Sequence, residues 1–167
     1  MLDQYSLQWD LRRVPHLPGK SLVLYKSGDA GVNLIIYNPE GGQTVVLENI
    51  TAGMASGAGN NLRTVIASVD GKTMYVGAYG NNQLAVYDVA TGQRTQIFKT
   101  YSHQIEGLYF YEGQLYSGHY GQGGITKIDL EKETVTPLYT LEYGAFNQHR
   151  SHAFTAGESK VFLGTAP

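Results

Sequence analysis

The stretch that decides the fold is Asp70-Gly71-Lys72-Thr73-Met74-Tyr75-Val76-Gly77-Ala78-Tyr79-Gly80, which runs through Asn81-Asn82 into Gln83-Leu84-Ala85-Val86-Tyr87-Asp88 and the turn Val89-Ala90-Thr91-Gly92-Gln93. It holds two short apolar runs rich in β-branched and aromatic residues, each bounded by a turn signal carrying Asp or Gly. The same text returns at 112–133. There Glu112-Gly113-Gln114 leads into Leu115-Tyr116-Ser117-Gly118-His119-Tyr120-Gly121, then into Ile125-Thr126-Lys127-Ile128-Asp129. A third copy of the first run, Val161-Phe162-Leu163-Gly164-Thr165-Ala166-Pro167, follows the turn Gly157-Glu158-Ser159-Lys160. Its aromatic residue, Phe162, matches Tyr75 and Tyr116, and the three lie 41 and 46 residues apart. Leu34-Ile35-Ile36-Tyr37-Asn38 is an earlier copy of the second run, 50 residues before its successor.

Working outward, each second run is followed by a turn and a more polar strand, at 44–47, 95–98 and 135–139. Each first run is preceded by a further strand, at 63–69, 106–111 and 151–155. Four short strands in a period of roughly 40–50 residues mark a β-propeller blade. The expected fold is all-β: a single partial propeller over residues 1–167, with blades at about 9–50, 62–100 and 105–142 and a half blade at 151–167. Closing a propeller takes roughly 4–8 blades, so about three and a half leave apolar faces and strand edges unmet. The expectation is that the chain self-associates, or belongs to a longer chain that completes the ring.

Composition agrees and narrows the function. The 167 residues include 21 Gly and 13 Tyr, and Gly near twice its usual share of ~7% suits tight turns between strands. No segment keeps apolar residues at helical spacing over three turns. With 12 basic and 14 acidic residues and no basic cluster beyond Arg12-Arg13, a phosphate-binding face is missing, which argues against nucleic acid as a partner. Apolar runs stop at four or five residues, against the ~20 that a membrane helix needs, so no membrane partner is expected. The absence of Cys removes disulfides, thiolate zinc sites and cysteine nucleophiles.

In a blade whose strands run outward, the loop entering strand one and the loop joining strands two and three share a face at the channel mouth. That face collects the candidate ligand-binding residues Arg63, Tyr79, His103, Gln104, His119, Tyr120, Arg150 and His152. Imidazoles suit metal ligation or hydrogen bonding between blades, arginines suit bidentate pairing with a carboxylate, and tyrosines at a mouth suit stacking on a sugar ring. Tyr37, Tyr75, Tyr87, Tyr109, Tyr111 and Tyr116 fall within strands and are read as packing between sheets. Asp70, Asp88 and Asp129 fall at strand ends and are read as turn residues. The glycine-rich loop 53–61 lacks a Gly-Lys-Ser/Thr ending, so it is no phosphate cradle.

The segments 70–93 and 112–133 resemble the β-propeller repeats of bacterial extracytoplasmic proteins, which implies an extracellular or periplasmic location, although Met1-Leu2-Asp3-Gln4-Tyr5 shows no signal peptide. Gln148 together with 152–165 resembles the metal-binding blade of the oligogalacturonate lyase family. That resemblance implies Gln148, His149 and His152 as ligands of a divalent metal beside a sugar carboxylate. Two functions follow. One is a non-catalytic module binding a polysaccharide or a protein, with carbohydrate preferred. The other is part of a polysaccharide-degrading lyase or hydrolase using His, Arg and Tyr.

Overall fold

The computed structural model describes residues 12–13, 22–28, 31–37, 44–47, 62–78, 82–101, 104–121, 123–140 and 150–166, with side chains from Thr64 onward except Ala78 and His152. Every regular element among them is a β-strand, and every pairing is antiparallel. The first sheet has the order β1 (Arg12–Arg13), β2 (Leu22–Gly28), β3 (Gly31–Tyr37), β4 (Thr44–Leu47). The second has the order β5 (Leu62–Ala67), β6 (Thr73–Ala78), β7 (Gln83–Asp88), β8 (Arg94–Lys99). The third is built from β9 (Gln104–Tyr111), β10 (Gln114–Tyr120), β11 (Ile125–Asp129) and β12 (Thr134–Tyr139), and takes in the hairpin of β13 (Arg150–Ala156) and β14 (Val161–Ala166). Three four-stranded antiparallel meanders and a two-stranded remainder are propeller blades, as the repeat requires.

The turns show why these residues reverse the chain. Asp70 Oδ1 accepts hydrogen bonds from the Ser68 hydroxyl at 2.6 Å and the Lys72 amide at 3.1 Å. Asp88 Oδ1 accepts from the Thr91 amide and hydroxyl, both at 2.7 Å, and Asp129 Oδ1 accepts from the amides of Glu131 and Lys132. These donors hold all three carboxyls below their ordinary pKa, led by the Ser68 hydroxyl at Asp70, the Thr91 hydroxyl at Asp88 and the Lys132 amide at Asp129. In the two-residue turn between β9 and β10, Glu112 and Gly113 have φ of 48° and 74°, the paired left-handed geometry that matches strand twist.

The second and third sheets share one core. Ile66, Tyr75, Leu84 and Phe98 of the second pack with Ile105, Leu115 and Ile128 of the third. The contact is organised by β9, which packs against β5 and β6 on one side and β13 on the other. The edge of Tyr75 meets the Phe110 ring at 5.4 Å, and Tyr109 stacks on Phe154 at 6.0 Å. The strand tyrosines 75 and 87 are 6% and 3% exposed, in keeping with a packing role.

Gly77 of β6 and Gly118 of β10 show how closely successive repeats approach. A Cβ on Gly77 would lie 2.8 Å from Ile105 Cβ of β9. A Cβ on Gly118 would overlap the carbonyl oxygen of Ser151 in β13 and lie 2.7 Å from its carbonyl carbon. Neither glycine has a positive φ, so what each supplies is the room for the next repeat's first strand.

Candidate functional site

The glycines face a recurring irregularity. Between β5 and β6, Leu62 pairs with Ala78 and Thr64 with Gly77, which leaves Arg63 as an extra residue. Between β9 and β10, Ile105 pairs with His119 and Gly107 with Gly118, leaving Glu106 extra. Between β13 and β14, Ser151 pairs with Thr165 and Ala153 with Gly164, leaving His152 extra. An extra residue of this kind bends its strand, and such bulges concentrate at functional rims because they re-aim a side chain. Three successive first strands therefore carry a bulge at one equivalent position, occupied by Arg63, Glu106 and His152. The residue before the bulge (Ile105, Ser151) is the one seated on the preceding repeat's glycine, so a single device packs the repeats and breaks the ladder.

Around the third and fourth repeats the side chains can be followed. Tyr120 and Arg150 pair across β10 and β13, and the Arg150 guanidinium carbon lies 5.0 Å above the Tyr120 ring, within cation–π range. Tyr120 is 38% exposed. Arg150 Nε is buried without a hydrogen-bond partner, and the guanidinium makes no ion pair among the described residues. On the neighbouring strand β9, where Gln104 pairs with Tyr120, the Gln104 amide donates to the Glu106 carboxylate. The Oγ of Ser151 is also buried and unpartnered.

His119 lies deeper, 1% exposed, with Nε2 at 3.0 Å from the Ser117 hydroxyl and 2.8 Å from that of Thr126. Burial disfavours the imidazolium and holds the pKa down to about 4, while the Gln104 backbone acts weakly the other way. Nδ1 still lacks a hydrogen bond of normal length. His119 is thus a neutral internal group at physiological pH, tying β10 to β11 through Thr126. Gln104, 2% exposed, is equally internal.

Of the residues expected at the mouth, the structure brings Gln104, His119, Tyr120 and Arg150 together, with Tyr120 the most accessible of them. Arg63 and His152 are placed by backbone register alone. Tyr79, His103, Gln148 and His149 lie outside the described residues. Among the described residues no three His, Asp or Glu side chains converge as a metal site would require. The role of Glu106 as a bulge residue, and Ser151 as its neighbour's seat, escaped the sequence reading. A signal was present: a polar residue followed by a small one, in Arg63-Thr64, Glu106-Gly107 and His152-Ala153.

This arrangement defines a β-propeller repeat protein. Solved structures that resemble it are WD40-repeat propellers. The WD40 repeats of RRP9 match with a TM-score of 0.59 at 16% identity over 89% of this chain. U3-55K matches with a TM-score of 0.55 at 17% identity over 81%. The chain spans 42% and 40% of the lengths of those two, and at such identities the likeness is one of fold. No family model and no curated protein sequence matches the chain.

Proposed function

We propose that the chain is a binding module that engages a protein partner through the mouth formed where its first strands begin. The observation that supports this reading is the Arg150–Tyr120 pair. A guanidinium without a carboxylate partner among the described residues sits on a part-exposed aromatic ring, in a strand whose bulge falls two residues on, at His152. Tyrosine and arginine are the side chains most enriched among residues that dominate protein interfaces. A cation already seated on one face of the Tyr120 ring leaves that face unable to stack on a sugar. The partner would present an Asp or Glu to Arg150, because carboxylates pair with guanidinium bidentately.

The test is peptide selection from a random displayed library against the chain, with oligogalacturonate titrated in parallel. The expected outcome is enrichment of peptides carrying Asp or Glu whose affinity falls tenfold or more in Arg150→Ala. That factor corresponds to roughly 1.4 kcal/mol, within the range for a hydrogen bond to a charged group. Selection of peptides indifferent to Arg150→Ala would overturn the reading. Binding of oligogalacturonate alone would replace it with the acidic-sugar one.

A further inference from the structure

Glu106 carries the charge opposite to Arg150 on a neighbouring first strand, and the two do not meet. Glu106 is the extra residue of the β9 bulge and is half-buried, with the Gln104 amide donating to one of its carboxylate oxygens. The other oxygen is not buried, and among the described residues no cation reaches the carboxylate. Register limits how far apart the two charged residues stand. Gln104 pairs with Tyr120, and Tyr120 pairs with Arg150. Paired Cα atoms lie roughly 4.5–5.5 Å apart, so Gln104 and Arg150 are within about 11 Å of each other. Strand β13 also packs directly on β9. The guanidinium rests on the Tyr120 ring and the carboxylate on Gln104, so neither neutralises the other. Arg150 Nε is buried without an acceptor, which is costly, and a carboxylate arriving edge-on at Nε and a terminal nitrogen would supply one.

We propose that the mouth selects a partner segment carrying both charges, an Asp or Glu for Arg150 and a Lys or Arg for Glu106, rather than a purely acidic one. The inference rests on the reading of this mouth as a protein-binding site and adds the second half of its specificity. Charges across an interface decide which partner is accepted more than how tightly it binds. An all-acidic segment drawn to Arg150 sets like charges against Glu106, and such juxtapositions are how wrong partners are rejected. A base placed at Glu106 turns that repulsion into a second contact. The spacing follows from the register. An extended chain advances about 3.3–3.6 Å per residue, so the acid and the base stand no more than about three residues apart. The side chain between them lies against the open part of Tyr120, which is 38% exposed.

The experiment is selection from a random displayed peptide library against the parent chain, Glu106→Gln and Glu131→Gln. One peptide selected by the parent is then titrated beside an analogue whose basic residue is replaced by Ala. The parent is expected to select peptides that pair an Asp or Glu with a Lys or Arg within about three residues. Glu106→Gln is expected to select acids without enriching a base. Glu131→Gln, at the exposed turn beyond the far end of β11, is expected to select as the parent does. Removing the base from the peptide is expected to weaken binding to the parent about threefold to fivefold, the scale of an ion pair at a surface, and to leave binding to Glu106→Gln unchanged. The same loss against both proteins would overturn the proposal, as would acidic peptides selected by the parent with no base enriched; either result leaves the pairing of a carboxylate with Arg150 standing. Selection of peptides without acids, indifferent to Arg150→Ala, would overturn both readings together. Should Glu106→Gln fail to fold, the analogue decides alone on the parent, where undiminished affinity overturns the proposal.

Discussion

Strands β6 and β14 carry the same short text, Tyr75-Val76-Gly77 and Phe162-Leu163-Gly164, in opposite surroundings. In β6, Met74, Tyr75, Val76 and Gly77 are all buried, and the next sheet's first strand lies on the glycine. In β14, Phe162, Gly164 and Thr165 are exposed. Fully burying an aromatic side chain is worth roughly 1.5–3 kcal/mol, and Phe162, 55% exposed, forgoes about half of that. The difference teaches that the motif is half of a joint. Its glycine and aromatic residue become structural only when the following first strand arrives with a residue to seat.

That contrast can be broken by substitution, and the largest effect is expected at Gly118. Gly118→Val has to displace the β13 backbone rather than a side chain, because its Cβ would overlap the Ser151 carbonyl. The expected loss is roughly 3 kcal/mol or more, at the upper end of overpacking, read as a fall in the urea midpoint or as failure to fold.

A comparable effect is expected from acid. The His119 pKa falls from 6.5 in the unfolded chain to about 4 in the folded one. The unfolded state therefore binds more protons between those values, and stability rises with pH across that window. The contribution is complete above about 6.5 and lost as pH drops through about 4; its size is about 3 kcal/mol. Urea midpoints measured from pH 4 to 7 should show this slope, and His119→Gln should flatten it. Asp70, Asp88 and Asp129 shift in the same direction, but their window opens only below their ordinary value of 3.8.

Gly77→Ala comes next. Its Cβ would meet Ile105 Cβ at 2.8 Å and the Thr64 methyl at 2.9 Å, both on β-branched residues held close to the backbone, and the expected cost is roughly 1–3 kcal/mol by the same denaturation. The smallest effect belongs to Phe162→Thr in the lone chain, expected within about 0.5 kcal/mol because the side chain is exposed. A large loss there at low protein concentration would show that Phe162 is covered within one copy.

Much of this fold is legible in the residues. Alternating apolar runs such as 84–88 and 125–129, punctuated by Asp-Gly and Glu-Gly turns, leave few alternatives to short antiparallel strands, and their period points to blades. What the sequence conceals is register. Nothing in Leu62-Arg63-Thr64 announces that Arg63 will have no partner, since a bulge depends on how two distant strands meet. His119 looked accessible for the same reason. It lies near the end of a strand in a polar run, and its burial against Ser117 and Thr126 depends on how β10 meets β11.

The most direct test of the joint is one paired measurement: the urea midpoints of Gly118→Ala and Gly164→Ala, each against the parent chain at low concentration. The same substitution at the filled seat is expected to cost roughly 3 kcal/mol, and at the open seat less than about 1 kcal/mol. Equal losses at both positions would contradict the account, because they would mean that the glycine serves its own hairpin rather than the strand that follows.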